Sequence, residues 1–181
     1  MRENTTLAVG RLVLAGVLAG GLWLSASEHP RALVRHLEAD RNIRPIAIAG
    51  RGRAIDGDTI VIGGARVRLE GIDAPEAGQT CAGGGVSSWA CGTAASDALA
   101  QLLAGQHVTC TGSGYDFYGR LLASCAVAGR ELNAEMVRSG LAWAFVRYSQ
   151  RYAALEAEAR SRRVGLWRGS PEPPWDFRAK H

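Results

Sequence analysis

The sequence predicts an α+β fold in which a small barrel of about five short strands is followed mostly by helices, three of them. Three observations carry that expectation. β-Branched runs flank the pair Gly63-Gly64, a direct hairpin signal. Two further strand-like runs flank Asp116-Phe117-Tyr118-Gly119, and three stretches with helical spacing lie at 87–104, 132–139 and 147–163.

In chain order, residues 1–26 carry Arg2 and Arg11 and then no charge over 12–26. Such an uncharged stretch is shorter than the roughly 20 residues a spanning helix needs and fits the core of a signal peptide. Neither Leu24-Ser25-Ala26 nor Ser25-Ala26-Ser27 is a clean alanine-x-alanine cleavage site. A cleaved signal peptide and an uncleaved signal anchor therefore both stay open, and either exports the remainder, to the periplasm or the medium. Residues 27–52 mix charge and apolar character around Pro30 and Pro45, with a short helix expected at 32–39, and read as a linker.

The domain is expected over 53–168. Ala54-Ile55 leads into a turn at Asp56-Gly57-Asp58, then strands 59–62 and 65–69 meet at the Gly63-Gly64 hairpin. The glycine-rich 76–85 segment is a loop. A helix follows over 87–104, with Ala95, Leu99, Leu102 and Leu103 on one face and Gly105 at its end. Strands 107–111 and 120–127 flank the Asp116–Gly119 turn. The second helix, 132–139, stops at Gly140. In the third, 147–163, Tyr148, Tyr152, Leu155 and Ala159 are spaced to face a core, and Glu156 is placed to pair with Arg160. Pro171, Pro173 and Pro174 mark 169–181 as an irregular tail.

With 181 residues, 47% of them hydrophobic, the chain has material for one domain with a real core plus a leader. Its formal charge, 21 − 17 = +4, mildly favours polyanions without marking a DNA-coating protein. The cysteines are Cys81, Cys91, Cys110 and Cys125. Cys110 and Cys125 lie symmetrically about the Asp116–Gly119 turn, so a tight hairpin sets them opposite each other. Antiparallel partners have Cα atoms roughly 4.5–5.5 Å apart, within disulfide range. The expected bridges are Cys110–Cys125 and, by elimination, Cys81–Cys91. A zinc site is the rival, but no Cys-x-x-Cys pair occurs.

The acidic residues and arginines carry the chemistry. Alone, Asp56-Gly57-Asp58 is a turn. Asp73, however, ends an apolar strand just before Pro75, where a carboxylate can meet a neighbouring hairpin. Two such carboxylates with backbone carbonyls and water are what calcium accepts, although no EF-hand loop is present. Arg68 alone reads as an edge residue and Arg120 as a turn residue. Together, two guanidinium forks can grip phosphate oxygens and neutralise charge on a pentacoordinate phosphorus. Glu76, next after Pro75, is placed to hold or deprotonate a water.

In this order, Asp-Gly-Asp-Thr (56–59), Arg-Leu-x-Gly-Ile-Asp-Ala-Pro-Glu (68–76), Asp-x-Tyr-Gly-Arg (116–120), Leu-Asn-x-x-Met-Val-x-x-Gly-Leu-Ala (132–142) and Gly-Leu-Trp (165–167) resemble the staphylococcal nuclease (thermonuclease) family over about Arg53 to Trp167. The resemblance implies a five-stranded OB-type barrel with three helices and calcium-dependent hydrolysis of DNA and RNA by a monomer. It assigns Asp58, Asp73 and the Ala74 carbonyl to Ca2+, with Asp56 supporting the metal from behind. Glu76 becomes general base or water-orienting group, Arg68 and Arg120 bind phosphate, and Tyr118 and Tyr148 bind substrate. Phe117 stands where a basic residue is expected, and Val146 where a second pocket tyrosine is. The cysteines and the Gly-rich 82–85 loop also depart from the cysteine-free archetype and fit an exported branch. The rival from another class is an OB-type binding module without turnover.

Overall fold

In the computed structural model, which describes residues 44–181 except Val86, five strands close into the expected barrel. They are β1 (Ile46–Ala54), β2 (Thr59–Ile62), β3 (Ala65–Leu69), β7 (His107–Tyr115) and β8 (Leu121–Val127). The order β3-β2-β1-β7-β8 is antiparallel until β8 returns to β3, where Val67, Arg68 and Leu69 pair in parallel with Leu121, Leu122 and Ala123. Closure removes the sheet edges. It also brings Arg68 and Arg120, which immediately precedes β8, to neighbouring strands at one end of the barrel. Short two-residue strands β4 (Ile72–Asp73), β5 (Cys81–Ala82), β6 (Ser88–Trp89), β9 (Arg130–Glu131) and β10 (Trp143–Ala144) tie the loops down.

The linker expected to run to residue 52 ends earlier. β1 begins at Ile46, pairing with β7 from Ile46↔Gly112 to Arg51↔His107 and with β2 over Gly52↔Ile62 to Ala54↔Ile60. Its inward positions alternate as Ile46, Ile48, Gly50, Gly52 and Ala54, a period-2 pattern made faint by small residues. The space is small for a reason: a Cβ on Gly52 would lie 3.0 Å from Val108 Cγ1 and 3.2 Å from Leu103 Cδ2, where the helix that ends at Leu103 packs on the barrel.

The helices are shorter than expected. α1 (Cys91–Leu103) begins after residues 87–90, because Ser88 and Trp89 pair with Ala82 and Cys81 instead. α2 (Leu132–Arg138) is as expected. α3 (Ala153–Ser161) starts late because residues 145–149 form turns, with the Tyr148 and Ser149 N–H groups donating to the Phe145 carbonyl. Consequently Tyr148 does not face the core and is 81% exposed, whereas Tyr152 and Ala159 are buried. Glu156 does pair with Arg160, at 2.7 Å, and its other oxygen accepts the Ala144 N–H at 2.6 Å. The tail expected to be irregular contains a fourth helix, α4 (Pro174–Lys180), after a 3-10 turn at Gly165–Arg168. Proline at the first helical position is a start signal.

Both expected disulfides are present, Cys81–Cys91 and Cys110–Cys125, the latter between directly paired residues of β7 and β8. The main core fills the barrel and the faces of α1, α2 and Tyr152. A second cluster surrounds Cys81–Cys91 with Trp143, Trp167 and Leu166, and Trp175 of α4 packs against it. Buried Asn133 joins the layers. Its Oδ1 accepts the Cys125 N–H (3.1 Å), and its Nδ2 donates to the carbonyls of Glu70 (2.9 Å) and Ala123 (3.1 Å). The leader expectation for 1–26 and the 32–39 helix lie outside the described residues. Among those described, no helix is long and apolar enough to cross a membrane.

Candidate active site

At the barrel end where β3 meets β8, a cleft of about 410 Å³ is lined by Asp56, Asp58, Arg66, Arg68, Ala74, Pro75, Glu76, Tyr118, Arg120 and Arg178. Three short segments shape it. In the first, the Asp58 N–H donates to Asp56 Oδ1 at 3.0 Å, closing an Asx turn between β1 and β2. Gly57 is needed there for space: a Cβ would sit 2.6 Å from Ala74 Cβ and 2.7 Å from Ala95 Cβ. The turn is thereby pressed against the segment that follows Asp73.

Asp58 and Asp73 are both buried. The Ala74 N–H donates to Asp58 Oδ2 at 2.7 Å. Arg68 spans the pair, one terminal nitrogen on Asp58 Oδ1 and the other on Asp73 Oδ1 at 2.7 Å. Thr59 Oγ1 donates to Asp58 Oδ1 at 3.3 Å and accepts from Arg120 Nη1 at 3.4 Å, linking the carboxylates to the second arginine.

The Asp116–Arg120 turn folds around its own aspartate. The N–H groups of Tyr118 and Arg120 both donate to Asp116 Oδ1 at 2.9 Å, and Arg120 Nε donates to Oδ2 at 2.7 Å. Gly119, at φ +73°, completes the reversal. Burial alone pushes the Asp116 carboxyl up, but the Arg120 backbone and guanidinium bonds outweigh it and hold its pKa below the usual value. Tyr118 stands 76% exposed with the Arg120 guanidinium 5.4 Å from its ring centre. Phe117 is 98% exposed and meets Tyr118 edge-on.

Glu76 follows the rigid Pro75. Its N–H donates to Gln79 Oε1 at 3.1 Å and its carbonyl accepts the Gln79 N–H at 2.8 Å. Its carboxylate meets a residue that the sequence reading left out: Arg178 of α4. Arg178 Nη1 donates to Glu76 Oε1 at 2.6 Å and to Asp73 Oδ1 at 3.2 Å, and Nη2 donates to Asp73 Oδ2 at 2.8 Å. The Asp73 hydrogen bond first, then Glu76, raise the Arg178 pKa above its ordinary value against the cost of burial.

The structure thus brings Asp56, Asp58, Arg68, Asp73, Ala74, Glu76, Tyr118 and Arg120 together. Tyr148 is not among the residues lining this cleft. It packs on Phe145 (4.8 Å between ring centres), which stacks on Trp175 of α4 at 5.7 Å. Val146 is half exposed beside it. Arg66 and Arg178 were not anticipated. Proline at the start of α4 was the available signal for that helix, though not for the contacts of Arg178.

Hard divalent cations take several oxygen ligands in loose geometry. Asp58 and Asp73 fit such an ion, since their oxygens already converge on one cationic group. Among the described residues no three acidic, histidine or cysteine side chains form a metal cluster. An ion here would rely on these two carboxylates, backbone oxygen and water.

The sequence profile of the family described as Staphylococcal nuclease homologue matches residues 66–169. The succinoglycan biosynthesis protein ExoI of Rhizobium meliloti (strain 1021) is 37% identical over 128 residues, 69% of this chain and 67% of that protein. An uncharacterized endonuclease of Escherichia coli O157:H7 is 37% identical over 134 residues, covering 70% and 81%. The micrococcal nuclease of Shigella flexneri is 38% identical over 144 residues, covering 70% and 77%. With the profile matching more than half of the chain and the barrel closed as expected, the protein belongs to the staphylococcal nuclease homologue family.

Proposed function

We propose that the protein is a nuclease that hydrolyses phosphodiester bonds of DNA and RNA with calcium as its metal. The observation that carries this reading is the meeting of two buried carboxylates, Asp58 and Asp73, with Arg68, Arg120 and Glu76 around one open cleft. The relatives named as nucleases support it.

Asp58, Asp73 and the Ala74 carbonyl would hold the ion, with Asp56 fixing the Asp58 backbone behind them. When bound, the metal supplies Lewis-acid charge at a phosphoryl oxygen. Arg68 and Arg120 grip the other phosphate oxygens, and their forks match the charge that develops as phosphorus becomes five-coordinate. For Arg68 this means leaving the carboxylates for the phosphate, an exchange of anions at an unchanged location. Glu76 holds the attacking water and takes its proton. Tyr118, beside Arg120, offers a ring face to a base, the stacking by which single strands are bound without sequence reading. Tyr148 serves the same strand farther out.

Monomeric action is part of the proposal, as the family resemblance implies. The disulfides and the uncharged stretch 12–26 support export to an oxidising compartment, periplasmic or secreted. Titration of the native protein finding no reactive thiol agrees with this, and four reactive thiols would remove it.

The test of function is digestion of denatured DNA and of RNA with calcium and with EDTA. Cleavage that needs calcium and stops with EDTA is expected. Cleavage that persists in EDTA would remove the metal from the mechanism. Tight binding with no cleavage in calcium would make the protein a binding module.

A further inference from the structure

We propose that Arg178 is a positioning residue for hydrolysis: it holds the Glu76 carboxylate beside Asp73 and so makes the C-terminal helix part of the active site. The inference rests on reading Glu76 as the group that handles water. Arg178 lies beyond residues 66–169, where the family profile matches.

The Glu76 backbone is tightly held. Besides the two Gln79 contacts, α1 packs so near that a Cβ on Gly92 would come within 1.7 Å of the Glu76 carbonyl oxygen. The side chain has far less support. Among the described residues its one polar partner is Arg178, on Oε1, which leaves Oε2 for a water. Arg178 is fixed in turn, because both its terminal nitrogens reach the buried Asp73 carboxylate. A guanidinium is a rigid planar fork, so seating it on Asp73 determines where its remaining donor points.

The helix carrying this fork is itself anchored. Gln79 Nε2 donates to the Glu172 carbonyl at 2.7 Å, Pro174 is buried, and Trp175 stacks on Phe145 and meets Trp143 edge-on at 6.3 Å. Gln79 therefore holds the Glu76 backbone with one end of its amide and the approach to α4 with the other. As a stability element the Arg178–Glu76 pair counts for little, since both side chains are about two-fifths exposed. Its effect is to keep a loop carboxylate from sampling its other rotamers, and small misplacements of catalytic groups are costly.

The experiment measures kcat and KM on denatured DNA with calcium for Arg178→Ala, Arg178→Lys, Glu76→Gln and the Arg178→Ala/Glu76→Gln double variant, with melting temperatures for all. Arg178→Ala is expected to lower kcat about 10- to 100-fold while KM stays within about threefold. Arg178→Lys recovers only part of the loss, because an ammonium cannot fork between two carboxylates. Adding Arg178→Ala to Glu76→Gln costs little more, as expected when one residue acts through the other. Wild-type kcat in Arg178→Ala, or the same fold-loss with and without Glu76, would overturn the proposal. Should Arg178→Ala not fold, Arg178→Lys made with and without Glu76→Gln reads the same coupling. A wild-type protein that cuts no polynucleotide would defeat the functional reading by itself. The melting temperatures then decide the contact: non-additive shifts uphold Arg178 as the support of Glu76, and additive shifts overturn it.

Discussion

Asp116 and Arg120 bind each other through three bonds: guanidinium to carboxylate at 2.7 Å, Arg120 N–H to carboxylate at 2.9 Å, and Asp116 N–H to the Arg120 carbonyl at 2.9 Å. The aspartate is thus the frame on which the turn and its arginine are built. Replacing Asp116 with Ala leaves the barrel standing but releases Arg120. The expected result is a loss of about tenfold in kcat on denatured DNA, with stability lowered by only about 1 kcal/mol as for a partly exposed ion pair. Wild-type kcat would show that Arg120 needs no such frame.

That turn also marks how far the sequence could be read. The hairpin about residues 116–119 was legible from cysteine symmetry and turn chemistry, both local signals, and it gave the Cys110–Cys125 bridge. The first strand was harder. Its inward positions are filled largely by Gly50, Gly52 and Ala54, so alternation was visible only at Ile46 and Ile48. Tyr148 has helical spacing from Tyr152, yet turns on the Phe145 carbonyl end that periodicity. Arg178 was hidden for another reason: its partners Asp73 and Glu76 lie more than a hundred residues earlier, and no local pattern records such a contact.

Asn133 holds one amide N–H and two carbonyls, tying α2 to β8 and to Glu70. Asn133→Leu fills the space and strips these bonds from the Cys125 N–H and the Glu70 carbonyl, while the Ala123 carbonyl keeps the Glu70 N–H at 2.9 Å. Chemical denaturation should show a loss of about 2–4 kcal/mol, with calcium dependence of any activity unchanged. A loss under about 0.5 kcal/mol would mean the network is dispensable.

Tyr152 is buried and donates to Glu131 Oε1 at 2.7 Å; burial first, then that hydrogen bond, push its pKa up from 10.0 to about 12. The folded state therefore keeps its proton after the unfolded chain has lost it. Its stabilising contribution is complete below pH 10.0 and is lost as pH rises to about 12. Melting temperatures should fall more steeply across that window for wild type than for Tyr152→Phe, which has no phenol to ionise. Parallel curves would remove this assignment.

Everything proposed for catalysis converges on Glu76 and Arg120 acting at one phosphate in the cleft beside Asp58 and Asp73. The most direct measurement is single-turnover cleavage of denatured DNA at saturating calcium by wild type, Glu76→Gln and Arg120→Ala, with DNA binding measured in parallel. The expected result is a rate loss of about 100-fold or more in each variant, with melting temperatures close to wild type. Cleavage at wild-type rates by both variants would contradict a hydrolytic site in this cleft.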